Sequence, residues 1–299
     1  MMRSWSGALG LALVALVVVA SCKDREQRSK TVLAPSDAAA MSSMMDGGGG
    51  RAPGCGKTPP AEVGALLATA AGRTFRVYPP RGYDASKPYP VLFVYHGINT
   101  SGGQFQSWFK MEEHVMDEAI VVYPDARKTS FGAAWDLGGD RDVTAFDDIR
   151  GALFESYCAD LGRLYAMGFS YGGKFVTSLA CQRASVLRAV SSNDASWGRN
   201  GEAGCSALPV LVTHRTNDPD EIIAWGKASA ESWARIDGCQ GPTATDVTDA
   251  AHGCFDYRGC KAKVTFCEDT YVNASWPKDW NHTVREEYRD LVWRWLRER

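Results

Sequence analysis

Long apolar runs are scarce in this chain of 299 residues. The one stretch of note, Ala8 to Ala20, is too short to cross a bilayer comfortably. Blocks of like charge are missing too: the formal net charge is -2, the pI is about 6.2, and acidic and basic residues are interspersed. That balance gives no grip for nucleic acid or another polyanion. There is no C-x-x-C spacing and no histidine at finger spacing beside Cys254, Cys260 and Cys267, which argues against a zinc site. No internal repeat is visible. With 45% hydrophobic and 11% aromatic residues, what is present is enough to build one sizeable core.

Arg3 followed by the apolar stretch suits the charged and hydrophobic regions of an export signal over residues 1–21. The stretch ends Val18-Val19-Ala20-Ser21-Cys22. That ending resembles a bacterial lipobox, so Cys22 is the expected site of lipidation and membrane attachment. From residue 22 to 54 the composition shifts to Ser, Ala, Met, Asp and Gly with no helical or strand period, and reads as a flexible tether reaching about 30 Å. Residues 55–299 then form one domain. The expected location is the cell envelope, at the outer membrane or cell surface, or outside the cell.

Setting Cys22 aside leaves an even set of cysteines, which together with an export signal implies disulfides in an oxidising compartment. Spacing does not fix the pairing. The expected pairs are Cys158–Cys181, Cys239–Cys260, Cys254–Cys267 and Cys55–Cys205.

Short β-branched runs at 74–78, 91–95, 120–123, 164–167, 189–190, 210–213 and 264–266 alternate with helical patterns near 107–118, 147–158, 171–182, 221–237 and 284–298. Such alternation predicts an α/β fold with a mostly parallel central sheet covered by helices on both faces. In the last helix Val284, Tyr288, Leu291, Val292, Trp295 and Leu296 fall on one stripe, the face expected to pack on the sheet.

The most informative segment is Gly168-Phe169-Ser170-Tyr171-Gly172-Gly173, set between an apolar run and a helical pattern. Glycines on both flanks of a serine let the chain reverse sharply and present the hydroxyl above a sheet. Ser170 is the candidate nucleophile. A serine hydroxyl needs a base, and the base needs an acid to orient it; in this sheet type they follow in the order Ser, Asp or Glu, His. The loop after the strand at 210–213 carries Asp218, the candidate acid, with Asp220 as runner-up or as the cap of the next helix. Of the five histidines, His96 and His214 come too early, and His114 lies in a helical pattern. His252 and His282 remain. His282, between the last strand and the terminal helix, is the favoured base. The glycine-rich turn after Tyr95-His96 offers backbone amides, so Ile98 and Tyr171 are the candidate oxyanion donors. No metal or organic cofactor is called for.

Taken together, these residues resemble the secreted serine esterases of the α/β-hydrolase fold that include feruloyl esterases, acetylxylan esterases and polyhydroxybutyrate depolymerases. The resemblance rests on Gly54-Cys55-Gly56-Lys57, Pro88-Tyr89-Pro90, the His96-Gly97 turn, Phe146-Asp147-Asp148-Ile149, Cys158, the serine elbow with Leu179-Ala180-Cys181, the Asp218 loop and Tyr257-Arg258-Gly259-Cys260. It spans residues 54 to 299 and looks closest to the feruloyl-esterase branch. What it implies is a monomeric carboxylesterase acting on feruloyl or acetyl esters of plant polysaccharide. A polyhydroxyalkanoate depolymerase is the second choice, and a non-catalytic surface lipoprotein binding carbohydrate or protein is the rival from another class. The chain departs from the family at Ala274, where relatives tend to carry the histidine, and at Arg215, where they often have glycine.

Overall fold

A computed structural model describes residues 30–33, 50–130, 132–241, 245–272 and 281–299. The export signal, Cys22 and Ala274 lie outside the described residues. An eleven-stranded sheet runs through the protein in the order β1-β2-β3-β5-β4-β8-β9-β10-β13-β12-β11, where β1 is Thr31–Val32, β2 Leu66–Ala68, β3 Thr74–Tyr78, β4 Tyr89–Tyr95, β5 Ile120–Pro124, β8 Ala159–Phe169, β9 Ala189–Asn193, β10 Val210–Arg215, β11 Thr245–Asp249, β12 Cys254–Tyr257 and β13 Val264–Asp269. From β5 to β13 every neighbouring pair is parallel. Antiparallel pairings flank this block at β2–β3, β3–β5, β12–β13 and β11–β12. A separate two-stranded ribbon joins β6 (Arg127–Thr129) to β7 (Gly132–Ala134). The helices are α1 (Gly102–Phe109), α2 (Met111–His114), α3 (Arg141–Ser156), α4 (Tyr171–Arg183), α5 (Ile223–Ile236) and α6 (Glu286–Arg297).

The wholly apolar β4 is explained by its two covered faces. Val91, Phe93 and Tyr95 join a core with Phe146 and Leu153 of α3, Phe175 and Leu179 of α4 and Trp233 of α5. Leu92 and Val94 point the other way, into a second core with Phe105 and Phe109 of α1, Met111 of α2 and Leu291 and Trp295 of α6. A side-chain period of two thus feeds both layers of one α/β sandwich. On α6 the expected stripe is buried throughout, while Glu286, Asp290, Arg294 and Arg297 face solvent.

Two expectations are corrected. Within the segment read as tether, the described residues are docked: Leu33 is buried with its N–H on Ala68 O, Arg51 bridges Asp160, and Gly54 N–H reaches Phe154 O. The edge strand Thr31–Val32 has two residues, too few to show a period. The second correction concerns two of the four disulfides. The bridges are Cys55–Cys158, Cys181–Cys205, Cys239–Cys260 and Cys254–Cys267. Cys158–Cys181 and Cys55–Cys205 do not form, because the 51–54 segment runs alongside the start of β8 and brings Cys55 to Cys158. Cys181, near the end of α4, is then left to meet Cys205 in the loop before β10.

Candidate active site

Functional groups leave the sheet at the carboxyl ends of its parallel strands, the edge where ligands collect in open α/β sheets. Ser170 follows β8 with φ 55° and ψ -125°, a conformation that non-glycine residues rarely adopt. Its neighbours explain why it is held there. A Cβ on Gly168 would lie 2.1 Å from Gly172 O, and one on Gly172 would lie 2.2 Å from Tyr95 O, so bulk on either side would break the turn. The Ser170 N–H donates to Asn193 O at 3.0 Å, pinning the bend to β9. Tyr171 opens α4, and its amide is among the first N–H groups of a helix, which have no intrahelical acceptor.

Beside it the chain leaving β4 is fixed by His96. Ala126 N–H donates to His96 Nε2 at 3.0 Å, so the ring proton sits on Nδ1, which lies 2.6 Å from Gly97 O. Burial lowers the His96 pKa and favours this neutral form. Both nitrogens are committed to shaping the turn, and Gly97 packs against the Ser170 side chain.

After β10, the Asp218 carboxylate is buried and doubly engaged. Oδ1 accepts the N–H groups of Asp220 and Glu221, each at 2.9 Å, and Oδ2 lies 2.7 Å from His282 Nδ1. The amide bonds of this turn hold the carboxylate, while Asp220 is exposed and α5 begins later, at Ile223, without a side-chain cap. The expected capping role of Asp220 is therefore not found. His282 packs over Phe169, with ring centroids 4.7 Å apart. The runner-up His252 pairs with Asp249 at 2.8 Å and meets Tyr288 in a T-shaped contact, and His114 pairs with Asp290 between α2 and α6.

Ser170 and His282 both line a cavity of about 510 Å³, together with Gly97, Ile98, Tyr171, Phe105, Trp108 and Phe169. One wall is aromatic. Phe105 stacks on Phe169 at 6.0 Å, and Trp108 meets Phe169 edge-on at the same centroid distance. Trp108 is 48% exposed, which marks it as wall rather than core. The sequence pattern of α1 does not separate it from Phe105 and Phe109, because all three fit a packing helix. Across from it Lys174 pairs with Glu221 at 2.5 Å. That pair joins α4, which follows Ser170, to the turn at Asp218 and was not legible in the sequence.

Beneath His282, Asp194, His214 and Asp218 form the only buried cluster with metal-ligand geometry among the described residues. Most of its donors are already committed, while His214 Nδ1 has no hydrogen-bond partner among the described residues. Both Asp218 oxygens are engaged, His214 Nε2 contacts Glu221 O at 2.6 Å, and His214 Nδ1 is pressed against Gly226. Burial and the neighbouring Asp218 charge raise the Asp194 pKa well above the ordinary carboxylate range. The cluster shares Asp218 with the Asp218–His282 pair.

Comparison with known proteins decides the family. Residues 68–158 match the family described as "Putative esterase". The chain is 31% identical over 235 residues to "Probable feruloyl esterase C" of Aspergillus niger, covering 76% of this chain and 85% of that protein. It is likewise 31% identical over 229 residues to "Feruloyl esterase C" of Emericella nidulans, covering 73% and 82%. The chain belongs to this esterase family. It is a carboxylic ester hydrolase of the α/β-hydrolase fold. Among solved structures, the acetyl xylan esterase from Aspergillus awamori overlays with a TM-score of 0.56 over 83% of this chain and 98% of that one at 14% identity, which speaks to fold alone. The four disulfides of this esterase fit an oxidising, extracellular setting. Among its described residues no helix is long and apolar enough to cross a membrane.

Proposed function

We propose that this esterase hydrolyses phenolic acyl esters of the feruloyl type, carried on plant polysaccharide, through Ser170, His282 and Asp218. The observation that carries the reading is the 2.7 Å Asp218–His282 contact opening onto the same aromatic-walled cavity as Ser170. Ser170 Oγ attacks the ester carbonyl while His282 Nε2 takes its proton, and the amides of Tyr171 and Ile98 receive the oxyanion. The alcohol leaves with that proton. Water, deprotonated by the same imidazole, then releases the acid and restores the serine.

A cavity of about 510 Å³ with a wall of Phe105, Trp108 and Phe169 is far larger than an acetyl group needs and suits a flat phenolic ring. The names of the fungal relatives point the same way. The decisive measurement compares methyl ferulate, acetylated xylan and a hydroxybutyrate oligomer, alongside fluorophosphonate labelling of wild type and Ser170→Ala. Turnover of ferulate above the other two, with labelling lost in the variant, is expected. Preferred cleavage of the oligomer makes the protein a polyhydroxyalkanoate depolymerase, and a folded protein with neither labelling nor turnover is a binding module.

For cell attachment the proposal is that residues 1–21 direct export and Cys22 carries the lipid. Cys22→Ala should move the enzyme from the membrane to the soluble fraction without changing its activity.

A further inference from the structure

Arg215 ends β10 and is almost wholly buried, at 1% exposure. Its main-chain N–H donates to Asp194 Oδ1 at 2.8 Å, which locks it to the turn following β9. Its side chain contacts Tyr271, Asn281 and Asp269. Nη2 donates to Tyr271 O at 2.9 Å and to Asn281 Oδ1 at 3.2 Å, and Nε lies 3.9 Å from Asp269 Oδ2. Tyr271 comes just after β13, and Asn281 immediately precedes His282. One guanidinium nitrogen thus holds the chain on both sides of the segment that delivers the imidazole. The same residue lies three positions before Asp218.

From this juxtaposition, and resting on the triad reading above, we propose that Arg215 is a positioning residue that holds His282 in register with Asp218. The physical reason is rigidity. A planar, permanently charged fork donates two bonds from one atom without rearranging, whereas a lysine ammonium is a flexible point donor. Such a charge is costly to bury unless its geometry is useful and its donors are used. The Asp269 carboxylate supports the same corner from the other side, taking Arg285 Nε at 2.8 Å and Nη2 at 2.9 Å and the Tyr271 N–H at 3.0 Å. Strand end, histidine approach and the start of α6 are thereby tied at one point.

The test uses the full chain with Arg215→Ala, Arg215→Lys, Asn281→Ala, His282→Ala and the Arg215→Ala/His282→Ala double variant. Misplacing a catalytic group by about 1 Å costs on the order of 10²-fold, so Arg215→Ala should lose about that in kcat with little change in KM. Arg215→Lys should recover only part of the loss.

In the His282→Ala background the Arg215 substitution should cost nothing further, since both changes act on one group. A folded Arg215→Ala enzyme with wild-type kcat overturns the proposal, as do losses that add in the double variant. If Arg215→Ala does not fold, Asn281→Ala decides: a smaller loss of kcat with KM unchanged supports the role, and unchanged kcat overturns it. Wild-type turnover in His282→Ala alone is a different failure, that of the triad itself.

Discussion

His282 Nδ1 lies 2.7 Å from Asp218 Oδ2 across 64 residues of sequence, while the other oxygen of the same carboxylate takes two amides of its own turn. The carboxylate is therefore oriented whether or not the imidazole is present. Asp218→Asn should keep the fold, because the side-chain oxygen can still accept both amides, but its NH₂ then faces Nδ1 and selects the wrong tautomer. A fall in kcat of about 10⁴-fold is expected, with Asp220→Asn within a few-fold of wild type. Steady-state kinetics on a phenolic ester checks both, and equal losses in the two variants reject the assignment of the acid.

The strain at Ser170 gives a second prediction. With φ at 55° the serine sits where only glycine is comfortable, at a cost of about 1–3 kcal/mol. Ser170→Ala and Ser170→Gly should both be inactive. The glycine variant should melt above the alanine one, and calorimetry showing the reverse order would mean the bend is not strained.

Asp237 supplies the pH dependence. Burial pushes its carboxyl up to about 7, although the amides of Leu208 and Ala262 and the charge of Lys261 pull it down. A carboxyl whose folded pKa lies above its unfolded value binds more protons when folded, so stability falls as pH rises from about 4 to about 7. Asp237→Asn removes that slope. The stability of the variant relative to wild type should increase across this interval in urea titrations, and a constant difference rejects the idea.

The disulfides should differ in weight. Cys55–Cys158 closes a separation of 103 residues and Cys254–Cys267 one of 13. By loop entropy the first contributes about 4–5 kcal/mol and the second about 3. Denaturant unfolding of the paired alanine variants should show the larger loss for Cys55/Cys158. That bridge also anchors the docked segment before the domain.

How far the chain could be read in advance follows from where its signals are local. The strand, serine turn and helix around Ser170 lie within one short stretch, so periodicity and glycine placement revealed them. All seven expected strands and the amphipathic α6 appear for the same reason. Thr31–Val32 and the β6–β7 ribbon were missed because two- and three-residue strands carry no period. The candidate acid and base were ordered by topology alone, and Asp218 lies 2.7 Å from His282 in the structure. Arg215 registered only as a departure, since its partners, Tyr271 and Asn281, are far away in sequence and offer a main-chain oxygen and an amide that no pattern marks. Cysteine pairing failed where it depended on the path of residues 51–54, a segment read as tether.

The self-sufficient turn around Asp218 makes the site modular. Because the carboxylate is set by its own backbone while Asn281, the neighbour of the imidazole, is fastened to Arg215, a protein engineer can shift the imidazole through substitutions at Asn281 and leave its counterion untouched.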